Sequence, residues 1–418
     1  MGELSVQVDP GEAGFDPARL ERLDRHFERY VAERRLPGWQ IVIARGGQVV
    51  HSSTHGWRDV EAERPVEADT IFRIYSMTKP ITSVAAMMLY EEGRFDLKHE
   101  VARYIPSFAD VRVLTGGSTY TPTTVPAQEP VRIWHLLTHT AGLTYGFHRA
   151  ALPDALYRKA GYEWGAPRGV DLAGACDAWA ALPLAHEPGT RFNYSVATDV
   201  LGRIVEIVAG MPLDRFFAER IFEPLGMVDT AFWAEGDQLD RLAALYVPDP
   251  ADRTIVRFDQ MGKAATRPTP MLSGGGGLVS TAHDYHRFAE MLRRGGELDG
   301  TRLLSNRTVA YMTRNHLPGG GDLEQLGQST FAETSFDGVG FGLGFAVVMD
   351  PAATKVLSSP GTYSWGGAAS TGFFVDPHED LTAVLLTQLL PSSTYDLRSQ
   401  LQRLVLQALV DRPGGSHR

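Results

Sequence analysis

The chain has 418 residues, enough for two domains or for one large domain with an insertion. Its 43% hydrophobic and 22% charged content is that of an ordinary soluble globular protein. A net charge of -10 with no basic cluster argues against a nucleic-acid partner and an anionic membrane surface, and a single cysteine, Cys176, excludes an internal disulfide or a multi-cysteine metal site.

The stretch Met1 to Phe15 is polar and acidic, with no charged segment leading into an apolar core. No apolar run approaches the ~20 residues that a membrane span needs, so a cytoplasmic protein is expected. Residues 17–34 place Leu20, Leu23, Phe27, Tyr30 and Val31 at helical period and predict an amphipathic helix. Gly38 to Ala44 and Val49 to Thr54 flank Arg45-Gly46-Gly47 and read as a β-hairpin. A short strand near Phe72 to Ile74 leads into a helix that stops at Gly93.

From about 95 to 265 the patterns are helical, joined by Gly- and Pro-rich loops, with little strand signal. Val131 to Thr138, Ser195 to Ala209 and Leu213 to Phe222 read as helices, the last stopped by Pro224. Strand signals return at Gly342 to Val348, Ser359 to Trp365, Gly372 to Val375 and Leu381 to Thr387, before a last helix over Tyr395 to Val410. A sheet drawing strands from both chain ends implies an α/β core, 1–94 plus 266–418, carrying a mainly helical insertion, 95–265.

Chemistry concentrates in three regions. The first is Tyr75-Ser76-Met77-Thr78-Lys79-Pro80. Proline is tolerated only in the first turn of a helix, so Pro80 sets the helix start, and Ser76 falls at its N-terminus with Lys79 on the same face. A serine nucleophile needs that arrangement of a nearby base and backbone donors. The second is Tyr194, just before a helix, where a tyrosine beside a lysine ammonium can take and return a proton. The third is Trp365-Gly366-Gly367-Ala368. Two glycines in a strand weaken it but let a ligand approach the backbone, so the N–H groups of Ser76 and Ala368 are candidates for an oxyanion hole, with Trp365, Gly366 and Gly367 binding substrate.

Ser76-x-x-Lys79, Tyr194 and Trp365-Gly366-Gly367, in that order and spacing, resemble the serine β-lactamase and penicillin-recognising superfamily. Leu136-Leu137-Thr138-His139-Thr140-Ala141-Gly142-Leu143 and Ser273-Gly274-Gly275-Gly276-Gly277-Leu278 strengthen the resemblance, which runs from about residue 15 to 410. It is closest to the class C β-lactamase-like branch and, within it, to the family VIII carboxylesterases. Two departures matter. Val196 stands where class C enzymes have the Asn of Tyr-x-Asn, and Trp365-Gly366-Gly367 stands where they have Lys-Thr-Gly. Trp365 offers an apolar face in place of a cation, which favours neutral esters over carboxylated amides.

The resemblance implies an antiparallel sheet flanked by helices with an inserted helical domain. It also implies a serine carboxylesterase for short- to medium-chain esters, using an acyl-enzyme on Ser76 and the pair Lys79 and Tyr194 for proton transfer. No cofactor or metal is expected, and the partner is a small-molecule ester. Rival readings are a β-lactamase or D-amino-acid peptidase, an acyltransferase using the same acyl-enzyme, and a non-catalytic scaffold. His135 and His139 lie a helical turn apart, yet no third metal ligand is near in sequence. The glycines 274–277 lack the Gly-Lys-Ser/Thr of a phosphate loop and are expected to let two backbones approach. No Gly-x-Ser-x-Gly occurs, so an α/β-hydrolase elbow is not the source of the activity. Asp199 either tunes the site or pairs locally.

Overall fold

The computed structural model describes residues 4–327 and 336–410. The ends of the expected core segments, 1–3 and 411–418, and the internal residues 328–335 lie outside the described residues. An eight-stranded sheet runs in the order Val339–Phe341, Ala346–Val348, Tyr363–Gly366, Gly372–Asp376, Leu381–Thr387, Gly38–Arg45, Gln48–Asp59, Arg64–Pro65. Every neighbouring pair is antiparallel. The pairing of Val42 with Val384 joins the N-terminal hairpin to the C-terminal strands.

The adjacent strands Gly38–Arg45 and Leu381–Thr387 are buried almost throughout, because both faces of the sheet are covered there. Ile41, Ile43 and Leu385 point into a core built with the helices Pro17–Ala32 and Leu397–Leu406. Val42, Ala44 and Val384 point the other way, into a larger core shared with the helices Thr78–Glu91 and Ala282–Arg293. The alternation of a strand thus feeds two cores at once. The expected hairpin turn is Gly46-Gly47, with φ of 60° and 85°, the doubly positive conformation of a tight two-residue turn.

The helix Thr78–Glu91 is the pivot of the molecule. Its residues Thr78 to Leu89 are all buried, Pro80 sits in its first turn, and Gly93 ends it at φ 67°. Polar Lys79 is enclosed with the rest, so the helix is not sorted into a wet and a dry face. It packs on the helix Ala197–Ala209, which runs into Gly210.

Several expectations are corrected. The segment 95–265 contains two antiparallel hairpins, Arg112–Gly117 with Pro122–Pro126 and Tyr246–Pro248 with Ile255–Arg257. The first is largely exposed on both faces, so it carries no apolar alternation, and its prolines lie at the ends of a strand, where a missing N–H is tolerated. The helix at 213–222 does not stop at Pro224. It widens into a π-turn at Ala218–Phe222 and continues through Glu223–Leu225 to Gly226, φ 67°. The strand expected over Gly342 to Val348 begins only at Ala346, because Gly342 to Phe345 form the turn from Val339–Phe341. The last helix is shorter than its pattern, Leu397–Leu406. Among the described residues no helix is long and apolar enough to cross a membrane.

Candidate active site

The strand Phe72–Arg73 pairs with Val279–Ser280, and Ile74 N–H donates to the Leu278 carbonyl at 3.1 Å. This clamp sets the loop before Ser76 against the glycine run 274–277. Tyr75 then takes φ 42°, an unusual value for a bulky residue, and a 3-10 turn at Tyr75–Met77 leads into the helix. Ser76 sits at this bend rather than inside regular helix, and its side chain reaches an open cavity of about 600 Å³.

Lys79 is 1% exposed. Its Nζ donates to Gly275 O at 2.6 Å, Tyr145 Oη at 3.0 Å and Ser76 Oγ at 3.3 Å. Three donors therefore meet three acceptors, which satisfies a buried ammonium. Tyr194 shows the same cation its ring face, 4.5 Å from Nζ to the ring centre. Sequence reasoning placed Tyr194 beside Lys79 but missed Tyr145, whose hydroxyl makes the direct hydrogen bond. Tyr145 lies just beyond the Thr138 to Leu143 stretch, and no spacing rule marks it.

Burial, reinforced by electrostatic repulsion from Asp199, holds the Tyr145 hydroxyl well above its usual pKa. It is a neutral phenol at physiological pH. Burial also raises the Asp199 carboxyl, against the opposing pull of Lys79. Asp199 Oδ1 accepts from Ser273 Oγ at 2.5 Å and from Gly275 N–H at 3.0 Å. A Cβ on Gly275 would come within 2.5 Å of Asp199 Oδ2, and one on Gly274 within 2.9 Å of the Thr198 carbonyl. The glycine run thus permits close backbone approach, and Asp199 both pairs locally and anchors the residue that accepts from Lys79.

Trp365, Gly366, Gly367 and Ala368 line the same cavity as Ser76. Trp365 packs on Tyr194 at 5.4 Å between ring centres and edge-on to Phe341 at 5.2 Å. Gly367 abuts the loop before Ser76, where a Cβ would overlap the Ile74 carbonyl oxygen. Tyr145, Phe147 and Trp164, which also line the cavity, form a stepped stack, 4.5 and 5.3 Å between successive ring centres. His135 and His139 face different partners. His135 Nδ1 accepts the Arg132 N–H at 3.0 Å, while His139 packs on Tyr194 at 4.8 Å with Nδ1 3.3 Å from Ser195 Oγ. Burial, with Lys79 and His148, keeps the His139 imidazole well below its ordinary pKa and therefore neutral. Among the described residues no three His, Cys, Asp or Glu side chains are placed to hold a metal ion.

A family model described as Beta-lactamase matches residues 23–407. The chain belongs to the beta-lactamase family. Its membership makes it a serine hydrolase, in keeping with the buried Lys79 against Ser76. Within the family it is similar to Esterase EstB of Burkholderia gladioli, 34% identical over 92% of this chain and 94% of that one. Among solved structures it resembles EstCE1, described as a hydrolase with promiscuous acyltransferase activity. The TM-score is 0.78 at 30% identity, covering 94% of this chain and 99% of the other. Simvastatin synthase (LovD) from Aspergillus terreus shares the fold, with a TM-score of 0.79 at 24% identity over 93% of this chain and 98% of that one. The esterase-branch resemblance drawn from Trp365-Gly366-Gly367 agrees with these relatives.

Proposed function

We propose that the chain is a carboxylesterase of short- to medium-chain esters, working through an acyl-enzyme on Ser76. The observation that carries this reading is the Ser76 hydroxyl 3.3 Å from a buried lysine, at the floor of an aromatic-walled cavity. Ser76 Oγ attacks the ester carbonyl while its proton passes to the Lys79–Tyr194 pair. The N–H groups of Ser76 and Ala368 receive the oxyanion. Tyr194 returns the proton to the departing alkoxide, and water then cleaves the acyl-enzyme. Tyr145, a phenol with a raised pKa, tethers Lys79 rather than serving as the base.

Two guanidinium groups also reach the cavity wall, yet both hold protein carbonyls. Arg73 donates to Ala243 O at 2.5 Å, and Arg398 to Gly367 O at 2.6 Å. With Trp365 in place of a lysine, this supports neutral esters over carboxylated amides. A second reading, acyl transfer to an alcohol, is favoured by the cavity of about 600 Å³, which has room for an acceptor beside the acyl group. It is supported also by the acyltransferase activity in the description of EstCE1.

The test is hydrolysis of p-nitrophenyl acetate, butyrate and octanoate beside nitrocefin, with and without added alcohols. The expected kcat/KM for the best ester exceeds that for nitrocefin by about 100-fold, the scale of a lost charged contact. Comparable nitrocefin turnover overturns the ester reading. Transfer product that exceeds hydrolysis at modest alcohol concentration makes the acyltransferase reading the correct one.

A further inference from the structure

Gly366 has no room for a side chain because a cation occupies that space. A Cβ there would overlap Nε and Cζ of Arg398, and a Cβ on Gly372 across the strand pair would come within 3.0 Å of Arg398 Cγ. Arg398 extends from the first turn of the helix Leu397–Leu406 and lies over this bare patch. Its Nε donates to Thr371 O at 3.0 Å and its Nη2 to Gly367 O at 2.6 Å. Thr371 O also accepts the Gly367 N–H at 3.0 Å, and Gly367 O also accepts the Ser370 N–H at 3.1 Å.

The Gly367 carbonyl and the Ala368 N–H are two ends of one peptide unit. In a trans peptide they point in opposite directions. A guanidinium on the oxygen therefore fixes where the N–H aims. It also draws electron density toward the oxygen and makes the N–H a stronger donor, as in any chain of polarised hydrogen bonds. The Ala368 N–H donates to no backbone carbonyl among the described residues, so it is left for a ligand.

We propose that Arg398 is a positioning residue for the oxyanion hole, gripping the Gly367 carbonyl so that the Ala368 N–H is held and polarised toward the substrate oxygen. The proposal rests on the reading of Ser76 and Ala368 as oxyanion donors. It gives Gly366 a specific task, that of seating the guanidinium, distinct from the close approach made at Gly367.

Arg398→Ala and Arg398→Lys separate this role from scaffolding and from substrate binding. With p-nitrophenyl butyrate, kcat for Arg398→Ala is expected to fall about 10- to 100-fold, a fraction of the loss seen on deleting an oxyanion donor outright, with KM within about threefold. Inactivation by a phosphonate ester, whose oxygen uses the same donors, slows in parallel. Guanidinium ion at millimolar concentration restores part of kcat. Arg398→Lys, which can make one of the two carbonyl contacts, falls between; if Arg398→Ala does not fold, this variant decides alone. Wild-type kcat in a folded variant overturns the proposal, as does a loss confined to KM for esters bearing a carboxylate, which would make Arg398 a binder of substrate anions. Ser76→Ala is run alongside. If Ser76→Ala stays active, the oxyanion reading itself fails, whereas an inactive Ser76→Ala with unchanged Arg398 variants sinks the Arg398 role alone.

Discussion

Lys79→Met is expected to lose ester hydrolysis by about 1,000-fold while keeping the fold, within the range by which a positioned proton-transfer group accelerates reactions. Methionine matches the length of the lysine stem but lacks the Nζ that lies 3.3 Å from Ser76 Oγ, so the Lys79–Tyr194 pair that moves the serine proton is broken. The fold survives because the change removes a buried charge along with its hydrogen bonds. Gly275 O and Tyr145 Oη each lose one donor, at about 1 kcal/mol apiece, and the desolvation cost of the ammonium disappears with it. Asp199, whose carboxyl Lys79 pulls downward, becomes still easier to protonate in its buried site. Rates with p-nitrophenyl butyrate and a thermal melt check both halves. A fully active Lys79→Met would remove lysine from the proton path and leave the task to the tyrosines.

Gly367→Ala carries the next largest effect. The added methyl has nowhere to go, since the Ile74 carbonyl and the Thr371 hydroxyl already fill the position. Ile74 stands two residues before Ser76, so the strand that presents Ala368 must move away from the nucleophile. A displacement near 1 Å costs about 100-fold in rate, and crowding of this kind costs about 1–3 kcal/mol in stability. Gly116→Ala is the control, because a Cβ at Gly116 meets nothing within 4 Å. Steady-state rates and urea midpoints for the two variants should diverge. Equal behaviour would mean that the Gly367 contact does not set the distance between strand and nucleophile.

What was legible in the sequence is what local rules encode. Pro80 marked a helix start, and that start located Ser76 and Lys79. The runs at 38–44 and 381–387 read as strands because Gly, Pro and Asp turns bound them. What was not legible depends on chain segments meeting late. Tyr145 reaches Lys79 across 66 residues, and Arg398 reaches Gly367 across 31. Neither carries a periodic signal, and an arginine near a helix start reads as solvated surface. The positive φ of Tyr75 was equally hidden, since nothing in a tyrosine announces it; it follows directly on the clamp between Ile74 and Leu278. The hairpin at 112–126 escaped because an exposed hairpin has no buried face to pattern. Pro224 reads as a helix stop in the sequence, but it sits in the first turn after a π-turn, where proline is at home.

The proposed chemistry passes through an acyl-enzyme on Ser76. The most direct test is to quench the protein during turnover of p-nitrophenyl butyrate and to map the adduct by peptide mass spectrometry, with Ser76→Ala beside it. One butyryl group is expected on the peptide holding Ser76 and Lys79, localised to Ser76, with neither adduct nor turnover in Ser76→Ala. Turnover that persists in Ser76→Ala, or an adduct on another residue, would contradict it.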